Sequence, residues 1–189
     1  MSKMLMTLAA AALVLAGCAA SDNDDADVTF AQQMVPHHEQ AVEMADLALD
    51  PQRDASAPVR TLATQIKKAQ GPEIRQMKDW LDEWDAEDES NDPMEGMDHG
   101  SGHGDHGDQG SGHMMEGMMS DADMSRLEAA RGTAFDRLWL SMMIEHHEGA
   151  ITMSRTEVKD GENDDAKQLA RDIIATQQRE ITRMKQLQR

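Results

Sequence analysis

The chain contains one segment twice, and this repeat is the feature that most constrains its fold. Residues 34–44 read MVPHHEQAVEM and residues 143–153 read MIEHHEGAITM, so each matched position returns 109 residues later. A second pair of segments, 107 residues apart, shares a Gln-x-x-Glu-Ile-x-x-Met pattern. Its members are Gln70, Glu73, Ile74 and Met77 in the first half and Gln177, Glu180, Ile181 and Met184 in the second. Such repeats predict two similar units related by a pseudo-two-fold axis.

The spacing of apolar residues predicts that these units are helical. Between residues 30 and 48, apolar or small side chains recur at intervals of four and three, and helical spacing continues through three later segments. Aromatic residues make up only 3% of the chain and tyrosine is absent, so the core must be mainly aliphatic and methionine, which suits helices. We predict an all-α, ferritin-like four-helix bundle with a first hairpin over residues 27–84. A short helix and the second hairpin occupy residues 121–189.

Capping and proline signals predict the helix boundaries. Predicted caps, each with an acid or amide three residues later, are Thr29, Ser120 and Thr133, and the last helix begins near Asn163.

Three prolines add to this prediction. Asp50-Pro51 should end the first helix, whereas Pro36 falls within its first turns, where proline is tolerated. Gly71-Pro72 predicts a kink or break in the second helix.

Residues 85–120 form a linker of a different composition. Glycine and charge are too dense there for a packed core, so the linker should be disordered without a ligand. It is rich in thioether and imidazole groups, with Met124 just beyond its end. They belong to Met94, Met97, His99, His103, His106, His113, Met114, Met115, Met118 and Met119. Methionine in a polar linker has no core to fill, which favours metal binding over the alternative of compositional drift.

The first 17 residues have the pattern of an export signal. Lys3 precedes an apolar run that is too short to span a membrane, and Leu15-Ala16-Gly17-Cys18 resembles a bacterial lipobox. The resemblance implies cleavage before Cys18, lipid on its sulfur, a tether over residues 18–26 and a lipid-anchored protein of the cell envelope or periplasm. The alternative is an ordinary signal peptide with an incidental cysteine.

Charge and cysteine content narrow the classes of partner. The formal net charge of −18 argues against nucleic acid and anionic membrane surfaces, and suits cations, although acidity also serves solubility. Because Cys18 is the single cysteine, neither an intrachain disulfide nor a thiolate metal site is expected. Membrane contact is therefore expected through the lipid anchor alone.

The repeated segments carry the strongest candidate for a metal site. His37 and His146 lie on the apolar seams of their helices, and Met34 and Met143 precede them by three residues, on the same helix face. The other seam methionines in the two copies are Met44 and Met153. We expect the two His/Met sets to converge at the bundle centre.

Four further residues are candidate ligands or partners. His38 and His147 point roughly 100° away around the helix, so we expect them in a neighbouring groove or at the rim. Glu73 and Glu180 are either acceptors for a histidine N–H, direct ligands, or acids that face solvent.

A purely structural interpretation competes with the metal site. In it, the seam methionines fill gaps in the core and the histidines are satisfied by the two glutamates. We favour gap filling for Met77 and Met184 and a surface role for Glu39 and Glu148.

The donor atoms indicate which metal would bind. A ferritin-like di-iron site needs Glu-x-x-His, which is absent, and Met-x-x-His stands in its place twice. Thioether shifts the preference towards Cu(I) and Ag(I), and the imidazoles add affinity for Cu(II) and Zn(II). Nucleophile elbows and phosphate-binding loops are also absent, so we predict that the protein is not an enzyme.

Two other functions remain open. A di-metal oxidase would place four inward carboxylates at the bundle centre, and a docking module of the envelope would expose a large methionine patch.

Residues 34–44, 135–153 and 173–184 together resemble the signature of the domain-of-unknown-function 305 family, and the resemblance extends over residues 27–189. It implies a ferritin-like helical bundle exported from bacteria. Some members, of the CopM type, are periplasmic copper-binding proteins linked to copper and silver tolerance, and many others have no assigned activity. The expected function is therefore copper or silver buffering, tolerance or delivery, with envelope copper-handling proteins as partners.

Overall fold

The computed structural model describes residues 23–86 and 115–189, and these two ranges contain five α-helices and no strand. The elements are α1 Asp25–Leu49, a 3-10 turn Pro51–Arg53, α2 Ala57–Glu83, α3 Asp121–Ala129, α4 Gly132–Asp160 and α5 Asp164–Leu187. Helix α1 packs along α2, α4 packs along α5, and the two hairpins meet mainly where α1 contacts α4. The predicted all-α bundle is confirmed.

Three contacts show that α1 and α4 run antiparallel. Trp139 Nε1 donates to the carbonyl oxygen of Met44 at 2.8 Å, near the end of α1. His37 lies against His146 in the middle, and at the start of α1 the Asp27 carboxylate accepts from the backbone N–H of Asn163, beyond the end of α4. The repeated segments therefore cross at their histidines.

The core consists of two hydrophobic clusters on either side of this crossing. One contains Met44, Met143 and Trp139, and the other contains Phe30 and Met34. Met77 and Met184 are completely buried within these clusters, as expected for side chains that fill the core. The histidines lie between the clusters along both α1 and α4.

Helix α1 starts earlier than predicted. Asp24 caps it, accepting from the backbone N–H of Ala26 and Asp27, while the Asp27 side chain accepts from the Asp24 N–H. The predicted cap at Thr29 is wrong, since its hydroxyl donates within the helix to the Asp25 carbonyl. Consequently Pro36 lies about three turns inside α1 rather than in its first turns.

The predicted cap of α4 is also wrong. Helix α4 begins at Gly132, and the cap residue Arg131 makes no side-chain capping bond. The Asp136 carboxylate instead accepts from the backbone N–H of Ser56, at the start of α2. Asp136 thus satisfies a neighbouring helix rather than Thr133 of its own.

Helix α2 passes through Gly71-Pro72 without the predicted break. Gln70 and Met77 are buried on either side of the proline, so both parts of the helix pack against the bundle. The caps at Ser120 and Asn163 and the end of α1 before Pro51 are confirmed.

Several predictions concern residues outside the described ranges. The export signal, lipidated Cys18, most of the tether and linker residues 87–114 are in this group, so their assignments stay predictions. Tether residues Asp25 and Ala26 already belong to α1. None of the helices in the described residues is long and apolar enough to cross a membrane.

Candidate metal centre

The repeats bring one histidine from each hairpin into contact. The ring centroids of His37 and His146, called here the inner pair, are 3.8 Å apart, and both residues are fully buried. Each lies on the face of its helix that meets the other hairpin, as the seam pattern predicts. The centre is therefore shared by α1 and α4.

Most ring nitrogens of the inner pair make no hydrogen bond. His37 Nε2 lies 3.2 Å from the Glu116 carbonyl oxygen and, because a carbonyl can only accept, this nitrogen carries the proton. His37 Nδ1 and both nitrogens of His146 meet hydrogen-bond geometry with no other described atom. A buried polar atom without a partner costs about 1–3 kcal/mol, so unused lone pairs at this position need an explanation.

Burial also keeps the inner pair uncharged. It lowers the pKa of His37 to about 3, with a further contribution from the neighbouring His38. Burial likewise holds the pKa of His146 well below its ordinary value, assisted by the proximity of His37 and His147. Neutral imidazoles present lone pairs to a metal ion without competition from protons.

His38 and His147, called here the outer pair, are fully buried, so they lie between helices of the bundle and not at its rim. His38 Nε2 contacts Glu73 Oε2 and His147 Nε2 contacts Glu180 Oε2, each at 2.9 Å. A rotation of about 100° from the inner face turns these rings towards α2 and α5 rather than towards water.

These contacts place the two glutamates as hydrogen-bond acceptors for the outer pair. Their side chains are 18% and 13% exposed, and each accepts a hydrogen bond from an outer histidine. They neither face solvent freely nor reach the inner pair through a hydrogen bond. Glu39 and Glu148, in contrast, form exposed ion pairs with Lys78 and Lys185, as predicted.

Thioethers occur on both sides of the inner pair. Met34, Met44 and Met143 are completely buried, whereas Met153 is half-buried. Met34 belongs to one core cluster, and Met44 and Met143 to the other. Nowhere in residues 23–86 or 115–189 do three or more His, Cys, Asp or Glu groups form a metal cluster. A metal ion at the inner pair would therefore need ligands other than carboxylates or further histidines. The nearest such groups along the chain are the thioethers of Met34 and Met143, three residues before the paired histidines.

The end of the linker is ordered, contrary to the predicted disorder over residues 85–120. Met119 is 7% exposed and packs in the core with Met124 of α3, and Met115 and Met118 are half-buried. Candidate ligands from Met94 to Met114, including all four linker histidines, lie outside the described residues.

Sequence reasoning missed two features near the centre. Gln40 and Gly149 occupy equivalent repeat positions but differ in type, and both contact residues 116–119. The mismatch within an otherwise similar repeat was the signal that could have revealed them.

Known proteins share this architecture. The family model for a domain of unknown function, DUF305, matches residues 27–188. A family protein of Streptomyces coelicolor, described as secreted, is 33% identical, with a TM-score of 0.70 over 86% of this chain and 91% of its own. A DUF305 fragment from Deinococcus radiodurans is 29% identical, with a TM-score of 0.70 over 88% of this chain and 97% of its own.

Structures of CopM are also similar. Its Cu(II)-bound form is 30% identical, with a TM-score of 0.64 over 86% of this chain and 95% of its own. Its Cu(I)-bound form is 27% identical, with a TM-score of 0.60 over 85% of this chain and 94% of its own. CopM has also been solved with silver after soaking. No curated protein matches the chain.

Proposed function

The chain belongs to the DUF305 family, and we propose that it binds soft metal ions, copper or silver. Several proteins of similar structure have been solved with these metals bound. The observation that carries the proposal is the inner pair, two neutral imidazoles 3.8 Å apart with unpartnered nitrogens in the core. Met34 and Met143, each one helical turn from an inner histidine, supply thioether donors, a combination that suits Cu(I) and Ag(I).

The biological role follows from where the protein would act. The signal pattern, Cys18 and the secreted relative support export to the cell envelope, with a lipid anchor as the finer proposal. There the protein would buffer copper or silver for tolerance, or deliver it to copper-handling partners. The methionine and histidine residues of the linker would add further sites for Cu(I), Cu(II) or Zn(II).

A di-metal oxidase is the less favoured alternative. It needs four inward carboxylates, whereas the described centre has two, Glu73 and Glu180, and each is bonded to an outer histidine. The other buried acids, Asp27 and Glu157, lie at the far end of α1 and α4. This donor set favours holding a metal over oxidising a substrate.

A docking role is also less favoured. It would need a large exposed methionine patch. Most methionines in the described part of the chain are buried, and Met115, Met118 and Met153 are half-buried.

The proposal is tested by titrating the metal-free protein with Ag(I), and with Cu(I) against a competing chelator. Nitrogen-15 spectra of the histidine rings separate the inner pair from the linker histidines, with assignments from single-histidine variants. We expect the His37 and His146 signals to shift on binding. Unchanged signals at saturating metal would exclude the centre.

A matched pair of variants tests the thioethers. Met34→Leu with Met143→Leu removes both sulfur atoms nearly without change in volume. The affinity of the inner pair for Ag(I) should fall by more than roughly 10–100-fold, the loss typical when a residue that only hydrogen-bonds to a ligand is removed. Met77→Leu with Met184→Leu changes the repeat-related methionines of the core and should leave the affinity unchanged. Equal affinities for the two double variants would contradict thioether ligation.

A further inference from the structure

Residues 115–119, called here the strap, lie beside the inner pair and contact both α1 and α4. The Glu116 carbonyl accepts from His37 Nε2, and the backbone of Met119 is held by the Gln40 side chain. The inner pair is therefore asymmetric: His37 has a hydrogen-bond partner, whereas the geometry leaves His146 without one.

Gln40 holds the strap from α1. Its Nε2 donates to the Met119 carbonyl oxygen at 2.9 Å, and its Oε1 accepts from the Met119 N–H at 2.8 Å. One amide side chain thus satisfies both backbone groups of a single strap residue. Because Gln40 is one turn beyond His37 on the same helix, this clamp fixes the strap relative to the ring.

Gly149 makes room for the strap on α4. A Cβ at this position would overlap the carbonyl group of Glu116 and the Cα of Gly117. Gly117 has φ +85°, in the left-handed region, and a Cβ there would lie 3.0 Å from both Gly149 Cα and the His146 carbonyl oxygen. The strap therefore rests directly on the α4 backbone beside His146.

The two repeats differ at the position that contacts the strap. Gln40 and Gly149 occupy equivalent positions, each three residues after an inner histidine. Gln40 bonds to the strap, whereas Gly149 leaves space for it because it has no side chain. A symmetric pair of glutamines would obstruct the strap on α4, and a symmetric pair of glycines would lose the clamp on α1. The divergence matches the two different contacts that the strap makes with α1 and α4.

We infer that the strap orients His37 for metal binding through Nδ1, with Gln40 and Gly149 as positioning residues. Histidines that bind metals usually donate their other ring N–H to a carbonyl or carboxylate, which fixes the tautomer and the direction of the lone pair. The Glu116 carbonyl occupies that position, and His37 Nδ1 is buried and unpartnered. This inference rests on the proposed function, since it specifies how one of its ligands is held.

The test uses Gly149→Ala in the full-length protein, because alanine favours the helix while its methyl group displaces the strap. Hydrogen exchange at the Met119 amide should quicken, and the ring of His37 should lose its uniform Nε2–H tautomer in nitrogen-15 spectra. Affinity for Ag(I), read from the ring signals of the inner pair, should fall about 10–100-fold.

Gly71→Ala is the matched control. Gly71 is also inside a long helix, and a Cβ there would meet only the Arg75 side chain at 3.8 Å. It should leave exchange, tautomer and affinity unchanged. If Gly149→Ala fails to fold, Gln40→Leu removes the clamp from the other helix and should give the same three changes.

The outcomes separate the inference from the proposed function. If the wild-type inner pair does not respond to Ag(I), the proposed function fails. If it responds equally in wild type and Gly149→Ala, the inference alone is overturned. Unchanged exchange at Met119 in Gly149→Ala would also overturn it, because the close packing would then be absent.

Discussion

The adjacent histidines of the second repeat, His146 and His147, differ in how their buried ring nitrogens are satisfied. His147 is buried with its Nε2 bonded to Glu180, whereas His146, one residue earlier, is buried without a hydrogen bond in the described structure. Burying a polar group is costly unless it finds a partner. His146 therefore lowers the stability of the metal-free protein. The Nε2 bond of His147 supports stability, and only its Nδ1 is buried without a partner.

This difference predicts opposite outcomes for two similar substitutions. His146→Leu should raise the free energy of unfolding of the metal-free protein by about 1 kcal/mol, since it removes buried atoms without partners. His147→Leu should lower it by about 1–3 kcal/mol, because Glu180 loses its hydrogen-bond donor. Urea denaturation with a chelator present measures both. A loss of equal size in both variants would refute this assignment.

The sequence predicted the inner pair well because each histidine replaces an apolar residue on a helix seam. It left the outer pair in a groove or at the rim, since helix geometry gives the angle between adjacent side chains but not which neighbour lies there. The Glu116 contact could not be predicted, because a backbone carbonyl carries no residue-specific signal.

At the scale of the elements, buried acids join the start of α1 to the turn between α4 and α5. Asp27 accepts from the backbone N–H groups of Asp24, Glu162 and Asn163. Burial raises its pKa, but these bonds and one from Glu157 outweigh burial and lower it. Burial raises the pKa of Glu157 to about 8, and its hydrogen bond to Asp27 adds to the shift.

This raised pKa predicts a pH dependence of stability. The folded protein keeps the Glu157 proton up to a pH of about 8, whereas the unfolded chain loses it near its ordinary value of 4.5. Folding therefore takes up a proton between these values, and the contribution of Glu157 to stability is lost as the pH rises. Asp27, with its lowered pKa, contributes in the opposite sense, and its stabilisation is lost in acid.

Glu157→Gln should remove the first of these effects. Relative to wild type, the variant should gain stability steadily between pH 5 and 8 and remain constant above that range. Guanidinium denaturation at several pH values measures the difference. Glu148→Gln, at an exposed position on the same helix, is the control and should not show this trend. Parallel pH profiles for wild type and Glu157→Gln would contradict a protonated Glu157.

Helix identity followed from apolar spacing, but helix starts were partly mispredicted. Asp24 caps α1 rather than Thr29 because Asp27, its partner in the capping box, is fixed by the α4–α5 turn. Asp136 caps another helix. Such choices depend on neighbours distant in sequence, so a local motif could not decide them.

At the scale of the whole molecule, the last residues of the predicted linker are part of the bundle. Residues 87–114 fall outside the described structure, whereas Met119 is in the core and bonded to Gln40. Composition alone predicted a single disordered linker to residue 120, since it cannot reveal that a few methionines find a core to fill.

The burial of Met119 and its bonds to Gln40 predict the outcome of two linker replacements. Exchanging residues 87–114 for a Gly/Ser linker of equal length should leave the melting temperature unchanged and reduce the number of metal ions bound, as measured by elemental analysis. Extending the exchange through residue 119 should also lower the melting temperature, because the buried Met119 side chain and its clamp are lost. Equal metal content before and after the shorter exchange would argue against binding by the linker.

The inner pair draws one imidazole from each half of the chain, at the place where the two hairpins chiefly touch. An ion bonded to both would act as a crosslink between N-terminal and C-terminal halves. Pulling the halves apart and releasing the cargo would then be a single event. A partner protein that separates α1 from α4 could therefore release the metal without competing for it as a ligand.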